Sequence, residues 1–315
     1  MSNNATIPKK FLESAIYDTV RYFDLFAMPV TATQLWRCLV MPDGDSGEIA
    51  LRGVQQALVD SPFLQQALGM KWGFYFLKGK EYMVRERLNR HARAQMKWKI
   101  LRKVAPFLAA VPFVRALAVS GSLALSNTKA SSDLDLFVVA RFGRIWTARL
   151  FLLVVTQFLG RRRKYWNQEA PDMVCLNHYI GDESLAMPAD VQNLYTAVQY
   201  SLHVPLFGRD ILTAFRQHNS FWIGRFVHGA VLPGISHGYE IDLASSASTL
   251  KHFFEAWLME PIGGLVEELA RHLQLWFIHR HHMRGRAGRV VTDDSELAFH
   301  PDTKVPALLA QYFRI

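Results

Sequence analysis

Cysteine is nearly absent from this chain. Cys38 and Cys175 are its only two in 315 residues, too few for a disulfide framework and in keeping with a reducing compartment, so a cytoplasmic location is expected. Acidic residues are also scarce, 27 against 36 lysines and arginines, which leaves a formal net charge of +9. That balance favours anionic partners such as nucleotides, nucleic acid or an acidic surface, without choosing among them. Long apolar runs are missing too. The most apolar segment, 145–159, carries Thr147, Arg149, Thr156 and Gln157 and falls short of the ~20 residues of a membrane span. It is expected as a helix buried against a sheet, and no membrane span is expected anywhere. The first residues lack the apolar core of a signal peptide. There is no repeat, Walker loop, dinucleotide glycine fingerprint or Gly-x-Ser-x-Gly elbow, which sets aside P-loop, Rossmann-type and serine-hydrolase chemistry.

What is present is enough apolar sequence, 50 % of all residues, for a sizeable core, and a length that suggests two or three domains. The N-terminal part reads as helices and a hairpin. Ile16, Val20, Phe23 and Phe26 recur near helical spacing in a first helix. Thr31 stands as an N-cap with Gln34 at the capping-box position of a second. After the loop 41–47, a third helix near 49–59 precedes an apolar hairpin at 71–79. That order, over 10–80, is the order of a winged helix-turn-helix. The third helix has one arginine and two glutamines, sparse for a groove-reading helix. A long basic helix over 81–110 is expected as a solvated linker, with a phosphate-tracking surface as the alternative.

The segment 111–185 carries the chemistry. An apolar run, 114–120, ends in Gly121-Ser122. A second apolar run, 134–140, is preceded and entered by Asp133 and Asp135. Residues two apart in a strand share a face, so the two carboxylates project together, as a hard divalent cation requires. A Gly-Ser turn at a helix start offers N–H groups and a hydroxyl to phosphate oxygens. Lys129, between the two motifs, is a further candidate for neutralising phosphate charge.

Strand, Gly-Ser, short helix and Asp-x-Asp on the next strand resemble the DNA polymerase beta-type nucleotidyltransferase superfamily. The resemblance implies an α+β, mixed-sheet core, here with an N-terminal winged-helix-like module and a C-terminal helical region and tail over 186–315. It implies an NTP substrate with Mg2+ or Mn2+. Gly121, Ser122 and Lys129 would lie toward the phosphates, Asp133 and Asp135 would hold the metal, and Asn177 would line the acceptor side. The hydroxyl acceptor could be a small molecule, a protein side chain or an RNA end. The wider order, with Asn219-x-x-Trp222 and Phe299-His-Pro-Asp302, resembles uncharacterised prokaryotic nucleotidyltransferase-domain proteins.

One departure stands out. Active members of that superfamily generally have a third carboxylate on a later strand. The third strand here, 173–180, presents Asn177, which can ligate a metal but cannot act as a base. Strict alternation puts Cys175, Asn177 and Tyr179 on one face and turns His178 away, unless a bulge intervenes. Asp172 and Asp182 are too distant along the strand to substitute. A slow enzyme is therefore expected. The alternative is a non-catalytic protein that senses nucleotide, or meets DNA or a protein partner through its basic surface and the N-terminal module. Among other candidates, Arg149 is expected as a surface ion-pair partner or a phosphate ligand, and the basic turn 161–164 as a solvated turn or anion guide. His279, His281 and His282 lack acidic neighbours and are not expected to bind metal.

Overall fold

The computed structural model describes residues 8–41, 49–163, 169–228, 238–259, 261–281, 288–300 and 305–314. The expected loop after Met41, Lys164, His282 and the Pro301-Asp302 end of the last motif lie outside them. The architecture is mixed α+β with two sheets. No helix among the described residues is long and apolar enough to cross a membrane.

The N-terminal part begins with α1 (Lys9–Asp24), β1 (Val30–Thr31) and α2 (Ala32–Arg37). The Thr31 side chain accepts from the Gln34 N–H while Gln34 Oε1 accepts from the Thr31 N–H, the reciprocal cap that the spacing predicts. Then come α3 (Leu51–Asp60), α4 (Pro62–Ala67), β2 (Leu68–Lys71) and β3 (Phe74–Leu77). Helix α4 was not foreseen. Ser61 caps it and Pro62 occupies its first turn, a local start signal hidden behind a short sequence. The hairpin turns at Trp72-Gly73, both with positive φ, and its sheet has the order β1-β3-β2.

Helix α5 (Met83–Ala109) follows. It is less solvated than its charge suggests. Arg87 is buried and donates to the carbonyls of Ser126 and Leu125. Lys97 is buried and donates to the carbonyls of Ala130 and Ser132 and to Asp172 at 2.6 Å.

The large sheet is assembled from β4 (Val114–Val119), the short α6 (Gly121–Ala124), β5 (Leu134–Ala140), α7 (Ile145–Phe158), β6 (Val174–Gly181), α8 (Leu194–Ser201) and β7 (Val204–Phe207). After α9 (Arg209–Gly224), α10 (Ser245–Trp257) and α11 (Ile262–His281) come β8 (Arg289–Thr292), β9 (Glu296–His300) and α12 (Val305–Arg314). Strand order is β7-β4-β5-β6-β9-β8. Among the described strands of this sheet β5 and β6 are parallel, with α7 as their crossover, and the other pairs are antiparallel.

The expected C-terminal helical region and tail over 186–315 also supplies three strands, β7, β8 and β9, that complete the sheet. Strand β7 is four residues long and contains Pro205, too short and too irregular for a periodic signal. It lies at a sheet edge, where a missing N–H costs least.

Both sheet faces are covered. Phe137, Val139 and Ile180 share one buried cluster with α1–α4, α8 and α9, while Leu136, Val138 and Tyr179 share another with α5, α7 and α11. Burial on both sides explains why β5 is apolar almost throughout.

Candidate functional site

Asp133 and Asp135 flank the start of β5. Parallel pairing sets Asp135 opposite Cys175 of β6. One ligand atom each of Asp133, Asp135 and Cys175 lies within 4.8 Å of the other two. The same-face carboxylate pair is therefore formed, and a thiol joins it. Gly121 sits directly against it with a φ of +62°, and a β-carbon there would come 2.6 Å from Asp135 Oδ2. Only glycine fits both that backbone and that space.

The environment of Asp135 is strongly biased. Burial, with the neighbouring Asp133 charge adding to it, pushes its carboxyl up to about 7. Hydrogen bonds from Cys175 and Asn177 and the charge of Arg163 oppose that rise. Burial and the two carboxylates push the Cys175 thiol well above its ordinary value, so it stands as a protonated thiol. The Arg163 guanidinium donates to Asp133 Oδ2 and to Cys175 Sγ. It brings positive charge to the place where the carboxylates repel each other. The basic turn is thus part of the site at Arg163, which its sequence alone marked only as a solvated turn or an anion guide.

Asn177 is where the third strand was expected to bring it, and its Nδ2 donates to Asp135 Oδ1 at 3.2 Å. Its neighbours are not. Leu136 pairs with Leu176 but Phe137 pairs with His178, so Asn177 is an extra residue on β6. This bulge resets the alternation. His178 comes round to the Asp135 and Phe137 side, and its ring meets Phe137 at 5.1 Å. Tyr179 turns to the opposite core. The expectation that His178 points away and Tyr179 accompanies Asn177 is overturned, for the reason named: a bulge flips every later side chain.

Beside the carboxylates lies a cavity of about 370 Å³, into which Ser120, Gly121, Asp135, Asn177, His178 and Tyr195 project. Tyr200, His203, Arg289 and His300 line it too. Burial pushes His203 down to about 3 and His300 down to about 4, so both are neutral near pH 7. His203 Nδ1 is buried without a hydrogen-bond partner. His178 Nε2 pairs with Glu296 Oε1 at 2.9 Å, and Arg289 grips Glu296 through two bonds of 2.6 and 2.9 Å. Those contacts hold the Glu296 carboxyl at about 2 despite its burial. Tyr200, His203, Arg289 and His300 come from α8, the turn before β7, β8 and β9; His300 stands in the Phe299-His-Pro-Asp302 motif, but strand pairing rather than any local pattern brings the four to the cavity.

Other candidates separate. Ser122 follows Gly121 in α6, yet the cavity is lined by Ser120 and Gly121 rather than by Ser122. Lys129 is exposed, with its N–H bonded to Ser132 Oγ. Arg149 is not a surface residue. It is buried, donates to Gln274 of α11 and lies 4.6 Å from the Phe299 ring centre. Asn219 is a structural bracket. It accepts from the Met187 N–H and the Trp222 indole and donates to the Leu185 carbonyl. His279 bonds the Leu275 carbonyl one turn back. Asp172 is engaged by Lys97 and Asp182 by the Phe142 N–H, so neither serves as the third carboxylate.

No family model matches the chain, and neither a curated protein nor a solved structure matches it.

Proposed function

We propose that this chain is a nucleotidyltransferase of the DNA polymerase beta type, moving a nucleoside monophosphate from an NTP to a hydroxyl acceptor. The observation that supports it best is the carboxylate pair held against a glycine with no room for a side chain, beside a cavity large enough for part of a substrate.

The donor set suits a hard divalent ion. Burial, with the neighbouring Asp133 charge adding to it, raises the Asp135 carboxyl to about 7, and Mg2+ is commonly bound by one or two carboxylates together with substrate phosphates. Asp133 and Asp135 would hold Mg2+ or Mn2+, whereas the protonated Cys175 thiol is a poor ligand for either. When bound, such an ion neutralises triphosphate charge and polarises the phosphoryl group under attack.

The chain's own residues supply the rest. Gly121 lets a phosphate approach the backbone, where the first N–H groups of α6, at Gly121 and Ser122, have no partner within that helix. Lys129 adds positive charge from the adjoining loop. Asn177 fixes Asp135 and lines the acceptor side. His178, oriented by Glu296, is the base that Asn177 cannot be. It would take the proton of the acceptor hydroxyl, work that contributes about 10²–10⁴-fold.

Incubation with each labelled NTP and Mg2+ is expected to release pyrophosphate. Release that survives the Asp133→Ala, Asp135→Ala double substitution would sink the site assignment. His178→Gln is expected to lower kcat while leaving KM for the NTP unchanged. A changed KM with intact kcat would remove His178 from the chemistry.

A second reading has its own support. Arg163 already brings a positive charge to Asp133, and Asn177 replaces a carboxylate. A protein that binds nucleotide without transferring it fits both. Calorimetry showing Mg2+-dependent NTP binding, with no pyrophosphate released, would decide for it. Its DNA-binding version rests on α3, whose exposed polar residues include Arg52, Gln55 and Gln56. That version requires duplex binding that weakens steeply with salt.

A further inference from the structure

Helix α10 is built inside out, and α11 carries a second apolar stripe on its outer side. In α10 the residues turned to the protein are Lys251, Glu255 and the following Leu258. Lys251 donates to the carbonyls of Ala109 and Val114, and Glu255 accepts from the Phe113 N–H and from Arg115. Its large apolar residues, Leu250, Phe253, Phe254 and Trp257, are exposed. In α11 the inward face is Gly263, Ala270, Gln274 and Ile278, with Glu267 accepting from the N–H groups of Trp146 and Thr147. Ile262, Leu265, Leu269, Leu273 and Trp276 are exposed. An ordinary surface helix has the reverse polarity of α10. Scattered exposed leucines need no explanation, but α10, with Lys251 and Glu255 inside and aromatics outside, and the continuous apolar stripe of α11 mark a covered face.

The α11 stripe also carries a symmetry. Its steps along the chain are 3, 4, 4 and 3 residues, read from Ile262, Leu265, Leu269, Leu273 and Trp276. That sequence of steps is the same in both directions about Leu269. Two antiparallel copies of α11 related by a two-fold axis through Leu269 therefore place Ile262 opposite Trp276 and Leu265 opposite Leu273. Self-complementarity of this kind is what an isologous dimer needs, and the 3-and-4 spacing is that of helix-on-helix seams.

The area suffices as well. The five exposed side chains named on α11 are 46–71 % exposed. At about 200 Å² for a whole large apolar residue they present roughly 600 Å² per copy, or ~1,200 Å² for the pair, against the ~1,000 Å² in total that a specific interface should clear. We infer that this face binds a second copy of the same chain, α11 against α11, to form a two-fold dimer.

Sedimentation equilibrium of the full chain tests this. The expected mass at micromolar concentration is twice 36.0 kDa. Association should persist or tighten when salt is raised above about 0.15 M, because repulsion between two basic copies is screened while apolar burial is strengthened. Leu269→Glu places two like charges on the axis and is expected to weaken association at least ~100-fold, with an unchanged circular dichroism spectrum. Should that variant fail to fold, Leu269→Cys keeps the test open. A short bismaleimide should join two copies through residue 269, but not through Leu88→Cys, an exposed α5 position. The native cysteines are both buried. A monomeric wild type overturns the proposal. So does a dimer unaffected by Leu269→Glu and not joined through Leu269→Cys. Salt-sensitive co-sedimentation of a monomer with phosphatidylglycerol vesicles would assign the face to an anionic membrane surface instead.

Discussion

Asp135 sets the pH behaviour of the site. Its folded value of about 7 stands above the ordinary 3.8, so the folded protein keeps a proton that the unfolded chain releases. The stability this contributes is complete below 3.8 and is lost as the pH rises through about 7. Asp135→Asn is therefore expected to match the wild type near pH 4 and to exceed it at pH 8 in urea denaturation without metal. A wild type that remains the more stable at pH 8 would show that the carboxylate is not desolvated. Glu296 acts in a different window. Held at about 2 by Arg289 and His178, it adds stability above its ordinary value of 4.5 that is lost as the pH falls through about 2. Residue by residue, the carboxylate pair, Gly121 and Asn177 were legible because they stand in or beside short motifs with fixed spacing. Arg163, Cys175 and His178 were not read as parts of the site. Each reaches Asp133 or the Asp135 face through strand pairing or a bulge, neither of which leaves a local pattern.

At the scale of elements, α5 does more than connect. Lys97 ties together the Ala130 and Ser132 carbonyls and Asp172, bracing the loop that delivers Asp133 to β5. Lys97→Met keeps the buried stem and removes the charge. It should cost about 2 kcal/mol and weaken Mn2+ binding at Asp133, read by denaturation and by metal titration. Undiminished Mn2+ binding would limit Lys97 to a purely structural part. Helices with strong periodicity or a capping box, such as α1 and α2, were readable from sequence. Strands β7, β8 and β9 were not. They are four or five residues long, take their place from partners distant in sequence, and lie in a region whose longer segments all read as helix.

On the scale of the whole molecule, the N-terminal helices and the cavity side of the sheet form one buried cluster, joining Ile16, Leu35 and Val54 to Phe137, Ile180 and Phe215. Tyr312 of α12 extends it, and Arg21 of α1 donates to its carbonyl. Shared burial of this kind couples the parts energetically. Residues 10–80 should therefore melt together with the large sheet, in a single calorimetric transition. A separate low-temperature transition retained by an isolated 1–80 fragment would show the module to be independent. Glu267 has a wider consequence. It reaches from α11 to the opening turn of α7, the crossover that joins the strand of Asp135 to the strand of Asn177. Whatever tilts α11 when its outer face is covered pulls on the backbone beside Trp146. That indole, fully buried and bonded to Asp294, gives the protein a native fluorophore for watching assembly reach the strands of Asp135 and Asn177.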